Sequence, residues 1–156
     1  MAFTIARETP LQDDVRRLVA QLNTYLKPLS PPEFQFQLTV EQLANADTVL
    51  FVGRDDTGAA VGMGALKAHS ADLGEVKRMF TAPDVRGAGL GRQILNAIEA
   101  EAMAWGIPRL VLETGSTEGF EPAWRVYERG GYTPCGAVLD YPDSGYNAFY
   151  EKKLSA

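Results

Sequence analysis

Leu11, Val15, Leu18, Val19, Leu22 and Leu26 recur at helical spacing and form one apolar stripe, whereas Phe3 to Glu8 before them alternates apolar and polar residues as a strand does. Between the two patterns, Thr9-Pro10-Leu11-Gln12 has the form of a capping box with proline at the first helical position, which predicts a helix starting there. Pro28, Pro31 and Pro32 end it in a proline-rich loop, and Thr39-Val40-Glu41-Gln42 repeats the capping signal for a short second helix to about Ala46. Strand patterns follow over Thr48 to Arg54, Ala59 to about His69 and Leu73 to Thr81, with turns at Asp55 to Gly58 and near Ser70 to Asp72; together they predict an antiparallel meander. Leu90, Ile94, Leu95, Ile98, Ala102 and Trp105 return to helical spacing, and Gly106 with Pro108 stops that helix. Arg109 to Thr114 reads as a buried strand, Pro122 to Arg129 as a helix ended by Gly130-Gly131, and Tyr132 to Leu139 and Gly145 to Leu154 as two last strands around the turn Asp140 to Ser144. The order is strand, two helices, three strands, helix, strand, helix, two strands: an α/β domain of the α+β kind, with a mixed, mostly antiparallel sheet of about seven strands.

Composition adds bounds. The chain has 156 residues, enough for one domain with a full core, so residues 1–156 are expected to form a single domain. No window approaches the roughly 18 apolar residues of a membrane span, and Met1 to Arg7 shows no secretory pattern, so the expectation is a cytoplasmic protein without a membrane partner. The single cysteine, Cys135, cannot form an internal disulfide and reads as a buried, inert thiol. A formal charge of −5 with no basic run argues against a nucleic-acid partner.

The most informative segment is Arg86-Gly87-Ala88-Gly89-Leu90-Gly91-Arg92, at the start of the long helix. Glycines at 87, 89 and 91 leave the backbone uncovered, so successive N–H groups can converge on an anion at the positive end of the helix dipole, with Arg86 and Arg92 supplying further donors. A Walker loop needs Lys then Ser or Thr after the last glycine, and Arg92-Gln93 stands there; a dinucleotide fingerprint would need glycine at 92. The pattern instead resembles R/Q-x-x-G-x-G/A, the acyl-CoA pyrophosphate loop of the GNAT superfamily of N-acetyltransferases. Met79 to Val85 is similar to the end of that family's fourth strand, and Ala123 to Tyr132 to its A-x-x-x-Y-x-x-x-G-F/Y segment. The element order agrees from Phe3 to Leu154, which implies helices on both faces of the sheet.

The resemblance implies acetyl-CoA as acyl donor, no metal, and direct attack by a primary amine of a small molecule, an amino-acid-like compound or a peptide through a ternary complex. The backbone of Arg86, Gly87, Ala88, Gly89, Leu90, Gly91 and Arg92 would hold the pyrophosphate, and Met79, Phe80 and Thr81 would offer strand-edge amides to the pantetheine arm. Such a transfer needs a neutral amine, stabilisation of an oxyanion and a proton donor for the thiolate. Tyr127 falls at the family's general-acid position. For the base, Glu75 lies four residues before Met79, on the same strand face under period-two alternation, with Lys77 beside it; His69 is a rival, and water alone remains open. The family often has an asparagine before the tyrosine, where this chain has Gly119-Phe120-Glu121-Pro122.

The acceptor pocket is expected from the loop after the first helix and the last turn, with Phe34, Phe36 and Tyr141 as an aromatic wall; Lys77 and Arg78 leave room for an acceptor carboxylate. Two other readings stand beside the enzyme: a non-catalytic acyl-CoA-binding sensor or interaction module, and nucleotide binding by an unrelated α/β domain. C-terminal edge strands could also support a homodimer.

Overall fold

The computed structural model describes residues 2–29, 31–34 and 38–154. Strand β1 (Thr4–Arg7) leads into helix α1 (Asp13–Leu26), then α2 (Val40–Leu43), β2 (Thr48–Arg54), β3 (Ala60–Ala68), β4 (Gly74–Thr81), α3 (Leu90–Ala104), β5 (Arg109–Gly115), α4 (Glu121–Arg129), β6 (Thr133–Cys135) and β7 (Asn147–Lys153). The strands form one open sheet in the order β1-β2-β3-β4-β5-β7-β6. Every neighbouring pair is antiparallel except β4 and β5. No helix among the described residues is long and apolar enough to cross a membrane.

Helices cover both faces, which is why β2 reads as a continuous apolar run rather than an alternation. Leu50 and Val52 pack with Val15, Leu18 and Leu22 of α1 and with Leu43 of α2. Val49 and Phe51 point the other way, toward Ile94, Leu95 and Ile98 of α3. Helix α3 reaches the sheet closely because β3 is bare beneath it: a Cβ on Gly64 would sit 2.4 Å from Met79 Sδ and 2.7 Å from Ile94 Cγ2.

The two capping boxes have different outcomes. Thr39 accepts from Gln42 N at 3.1 Å while Gln42 Oε1 accepts from Thr39 N at 2.8 Å, the reciprocal pair expected. At Thr9 no box forms. Gln12 donates to Glu8 Oε1 instead, Arg54 holds Glu8 and Asp14, and α1 begins at Asp13, with an acidic first turn matching the helix dipole. The sixth strand is also shorter than Tyr132 to Leu139, reduced to the outer edge of the sheet. Pro134 has no N–H to extend a ladder there.

Two irregularities in β4 open the site. First, β4 and β5 pair only at Gly74 with Leu110 and Glu75 with Val111; from Val76 onward one edge of β4 has no strand beside it. Second, the β3–β4 register shifts between Met63 and Ala65, and Arg78 sits at φ +56°, so a bulge inserts one extra residue into β4. The bulge inverts alternation. Glu75 and Lys77 pair with Lys67 and Ala65 and face the α1 side, whereas Met79 packs on the α3 side. The expectation that Glu75 and Met79 share a face is therefore incorrect, because period two holds only for an unbroken strand.

Candidate active site

Where β4 and β5 part, a cleft of about 590 Å³ opens between α1, α3 and α4. Its α3 wall is the glycine loop. Gly87 and Gly89 adopt φ +85° and +86°, values that disfavour any side chain bearing a Cβ, and a Cβ at either would meet nothing within 4 Å. Gly89 is the N-cap of α3 and offers no side-chain cap, so the first-turn N–H groups of Leu90, Gly91 and Arg92, which a helix cannot satisfy internally, border the cleft. Met79, Phe80 and Thr81 line the same space along the unpaired edge of β4. The two arginines that flank the loop have different partners. Arg86 lies 5.0 Å from the Tyr25 ring and 6.0 Å from that of Phe80, whereas Arg92 turns away to donate to Arg129 O at 2.7 Å and to Asn96. Helix carbonyls at the end of α4 attract that cation.

Tyr127, on α4, lies at the junction of the walls, buried against Tyr132 and Tyr150 at 6.1 and 6.2 Å. Burial, and then the charge of Glu113, push its phenol well above the ordinary range, so the hydroxyl keeps its proton at neutral pH. Ahead of α4, the Phe120 ring covers Gly115, where a Cβ would come within 1.9 Å of it. Tyr25 Oη donates to Gly119 O at 2.5 Å and ties α1 to this turn.

The opposite wall carries the charged groups. Glu75 is a hub: His69 Nε2 lies 2.8 Å from Oε1, while Lys77 Nζ at 3.2 Å and Tyr141 Oη at 2.6 Å both donate to Oε2. Tyr141 also packs on Phe149, with centroids 6.3 Å apart. Lys77 and Tyr141 thus meet each other, and both are engaged with Glu75. Phe36 lies outside the described residues, as does the side chain of Phe34. Glu113, on β5, lines the cleft as well and accepts from Asn147 Nδ2 at 3.2 Å. Burial pushes its carboxyl up to about 7, against the opposing influence of Asn147 and Lys77 and with a further upward push from Glu75.

The profile of the Acetyltransferase (GNAT) family matches residues 14–132, the span holding the loop, the split strands and Tyr127. This chain belongs to that family. It is 40% identical over 152 residues to the IAA acetyltransferase of Azospirillum brasilense, covering 97% of both chains. It is 35% identical to the uncharacterised N-acetyltransferase YsnE of Bacillus subtilis, over 89% of this chain and 93% of that one. Among solved structures, a Klebsiella pneumoniae protein assigned as an acyl-CoA N-acyltransferase superposes with a TM-score of 0.82 at 30% identity, covering 98% of each chain.

In this GNAT acetyltransferase, two site groups escape sequence reading. Glu113 follows the apolar run Leu110 to Leu112, and an acid in a strand otherwise read as buried is the signal that could have singled it out. Asn147 shares no motif with it and is brought alongside by the β5–β7 pairing. Cys135 lies at the sheet edge, its thiol pushed up by burial and then by Glu151, an environment that suppresses thiolate reactivity.

Proposed function

We propose that the chain is an acetyl-CoA-dependent N-acetyltransferase that acetylates the primary amine of a small molecule by direct attack in a ternary complex. The observation that carries this reading is the division of one cleft into an uncapped glycine-rich helix start on the α3 side and a titratable cluster on the α1 side, with Tyr127 between them. The chemistry of the donor wall fits a pyrophosphate: free first-turn amides, two glycines at positive φ, open space above both, and no acidic residue in the first turn of α3. When bound, acetyl-CoA supplies an acetyl group already activated as a thioester. Residues 86–92 bind its phosphates through backbone N–H groups, and residues 79–81 offer strand-edge amides to the extended arm.

Tyr127 holds a proton at Oη for the departing sulfur. For the base, we assign Glu113 ahead of Glu75. Both oxygens of Glu75 are already engaged and its side chain is 3% exposed, so it orients Lys77, His69 and Tyr141. Among the described residues Glu113 has one hydrogen-bond partner, the neutral Asn147, and it titrates near neutrality, where a carboxylate can take a proton from an ammonium group through water. A binding module for acyl-CoA alone has no need of that acid and base pair. Calorimetric titration with acetyl-CoA, followed by a free-thiol assay over amino acids, polyamines, aminoglycosides and peptide N-termini, tests the reading. Micromolar binding with thiol release on at least one amine is expected; absence of binding at millimolar acetyl-CoA refutes it.

A further inference from the structure

Arg78 is placed at a disadvantage on several counts. Its backbone occupies the left-handed region, φ +56°, which a residue with a Cβ rarely adopts. The residue is only 8% exposed, and burial pushes its guanidinium down to about 10, with no carboxylate among the described residues acting in the other direction. One Nη donates to Asn23 Oδ1 of α1, a neutral partner, and Nε is buried without a partner among the described residues. Three other arginines of the protein are held differently. Arg54, Arg109 and Arg125 are less buried, yet each holds a carboxylate: Glu8 and Asp14, Glu151, and Glu121 respectively.

The position of Arg78 in the cleft explains the difference. Arg78 lines the space between β4 and α1, on the side away from the glycine loop. Its neighbour Lys77 is already held by Glu75 and Tyr141 and does not compete for an incoming anion. A buried guanidinium with unused donors presents a planar fork that matches a carboxylate. A phosphate dianion fits less well, because one unpaired cation would leave part of its charge uncompensated in a desolvated site.

We propose that Arg78 seats a carboxylate of the acceptor, so that the substrate is an amino acid or another amine carrying a carboxylate. This rests on the acetyltransferase reading of the same cleft. The bulge then has a purpose: it turns Arg78 toward α1 while Met79 keeps its place on the donor side.

The test compares matched acceptors and does not depend on turnover alone. In a free-thiol assay, each standard amino acid is run beside its primary amide, with dipeptides as a third arm that separates a free amino acid from a peptide N-terminus. The wild type is expected to prefer the best acid over its amide by roughly 100-fold in kcat/KM. Arg78→Met should bring that ratio to within about threefold by slowing the acid and sparing the amide, and Arg78→Lys should fall between. If the methionine variant does not fold, Arg78→Gly, which suits the positive φ, takes its place. Calorimetric titration with N-acetylated amino acids and their amides reads the same seat without chemistry.

Equal use of acid and amide by the wild type overturns the proposal and leaves the acetyltransferase reading standing. Equal loss on both in Arg78→Met also overturns it, since that is the signature of a structural role. Arg78-dependent binding of N-acetylated amino acids without thiol release keeps the seat and removes the proposed reaction. Absence of both thiol release and Arg78-dependent binding overturns the proposal.

Discussion

His69 Nε2 lies 2.8 Å from Glu75 Oε1, so two residues that compete as bases in the sequence form one hydrogen-bonded pair in the fold. Glu75 is the more consequential member, because its other oxygen holds Lys77, whose side chain is 9% exposed. Glu75→Gln leaves that cation buried without its counter-charge and is expected to destabilise the fold by about 3–5 kcal/mol. His69→Ala removes one bond to a charged group from a more exposed position and should cost about 1.5–3 kcal/mol. Urea midpoints measured for both variants check the order; a larger effect at His69 contradicts the hub.

Tyr127→Phe keeps the ring packing with Tyr132 and Tyr150 and deletes only the hydroxyl. The expected outcome is a fall in kcat of roughly 10²–10⁴-fold with little change in acetyl-CoA affinity. Steady-state kinetics beside calorimetric titration separate the two effects. Unchanged kcat rejects the proton-donor role.

Glu113 makes both rate and stability depend on pH, with opposite signs. As a base it acts when ionised, so kcat/KM should rise with pH through an inflection near 7, and Glu113→Gln should abolish that limb. As a buried acid whose folded-state value lies above its unfolded one, it binds more protons folded than unfolded between the ordinary carboxyl range and about 7. Stability therefore falls as pH rises through that window, by about 3 kcal/mol from this group, and Glu113→Gln should flatten the profile. Denaturation midpoints from pH 4 to 8, on the order of five points, suffice to detect the slope.

Gly89 separates backbone strain from charge at the anion cradle. Gly89→Ala adds only a Cβ at φ +86°, into open space, and is expected to cost about 1–2 kcal/mol of stability. Gly89→Asp adds a like charge near the phosphates and should weaken acetyl-CoA roughly 100-fold, the effect of one charge a few ångströms away at an effective dielectric near 20. Equal affinities for the two variants would place the pyrophosphate elsewhere.

The legible parts of the fold are those governed by local pattern. Strands β2 and β3, the stripe on α1, the stop at Gly106 and the Thr39 capping box all follow from residues within a few positions of one another. Thr9 looks the same locally and fails, because Arg54, more than 40 positions away in the chain, orders Glu8 and Asp14 into a network that Gln12 joins. The bulge at Arg78 is equally hidden: nothing in Glu75 to Thr81 announces an extra residue, and one such residue moves Met79 to the opposite face.

The sequence by itself determined the anion cradle proposed for the donor, since glycines at 87, 89 and 91 and the helix that follows form a contiguous segment whose backbone chemistry does not depend on distant partners. Only the tertiary structure decided the environments of Arg78 and Glu113, on the wall proposed for the acceptor. Arg78 has a neutral partner and no carboxylate among the described residues because α1 presents Asn23 rather than an acid, and Glu113 titrates near neutrality because β7 and the parted strands bury it. Burial and charge pairing are set by which segments become neighbours in space, and those segments are far apart along the chain.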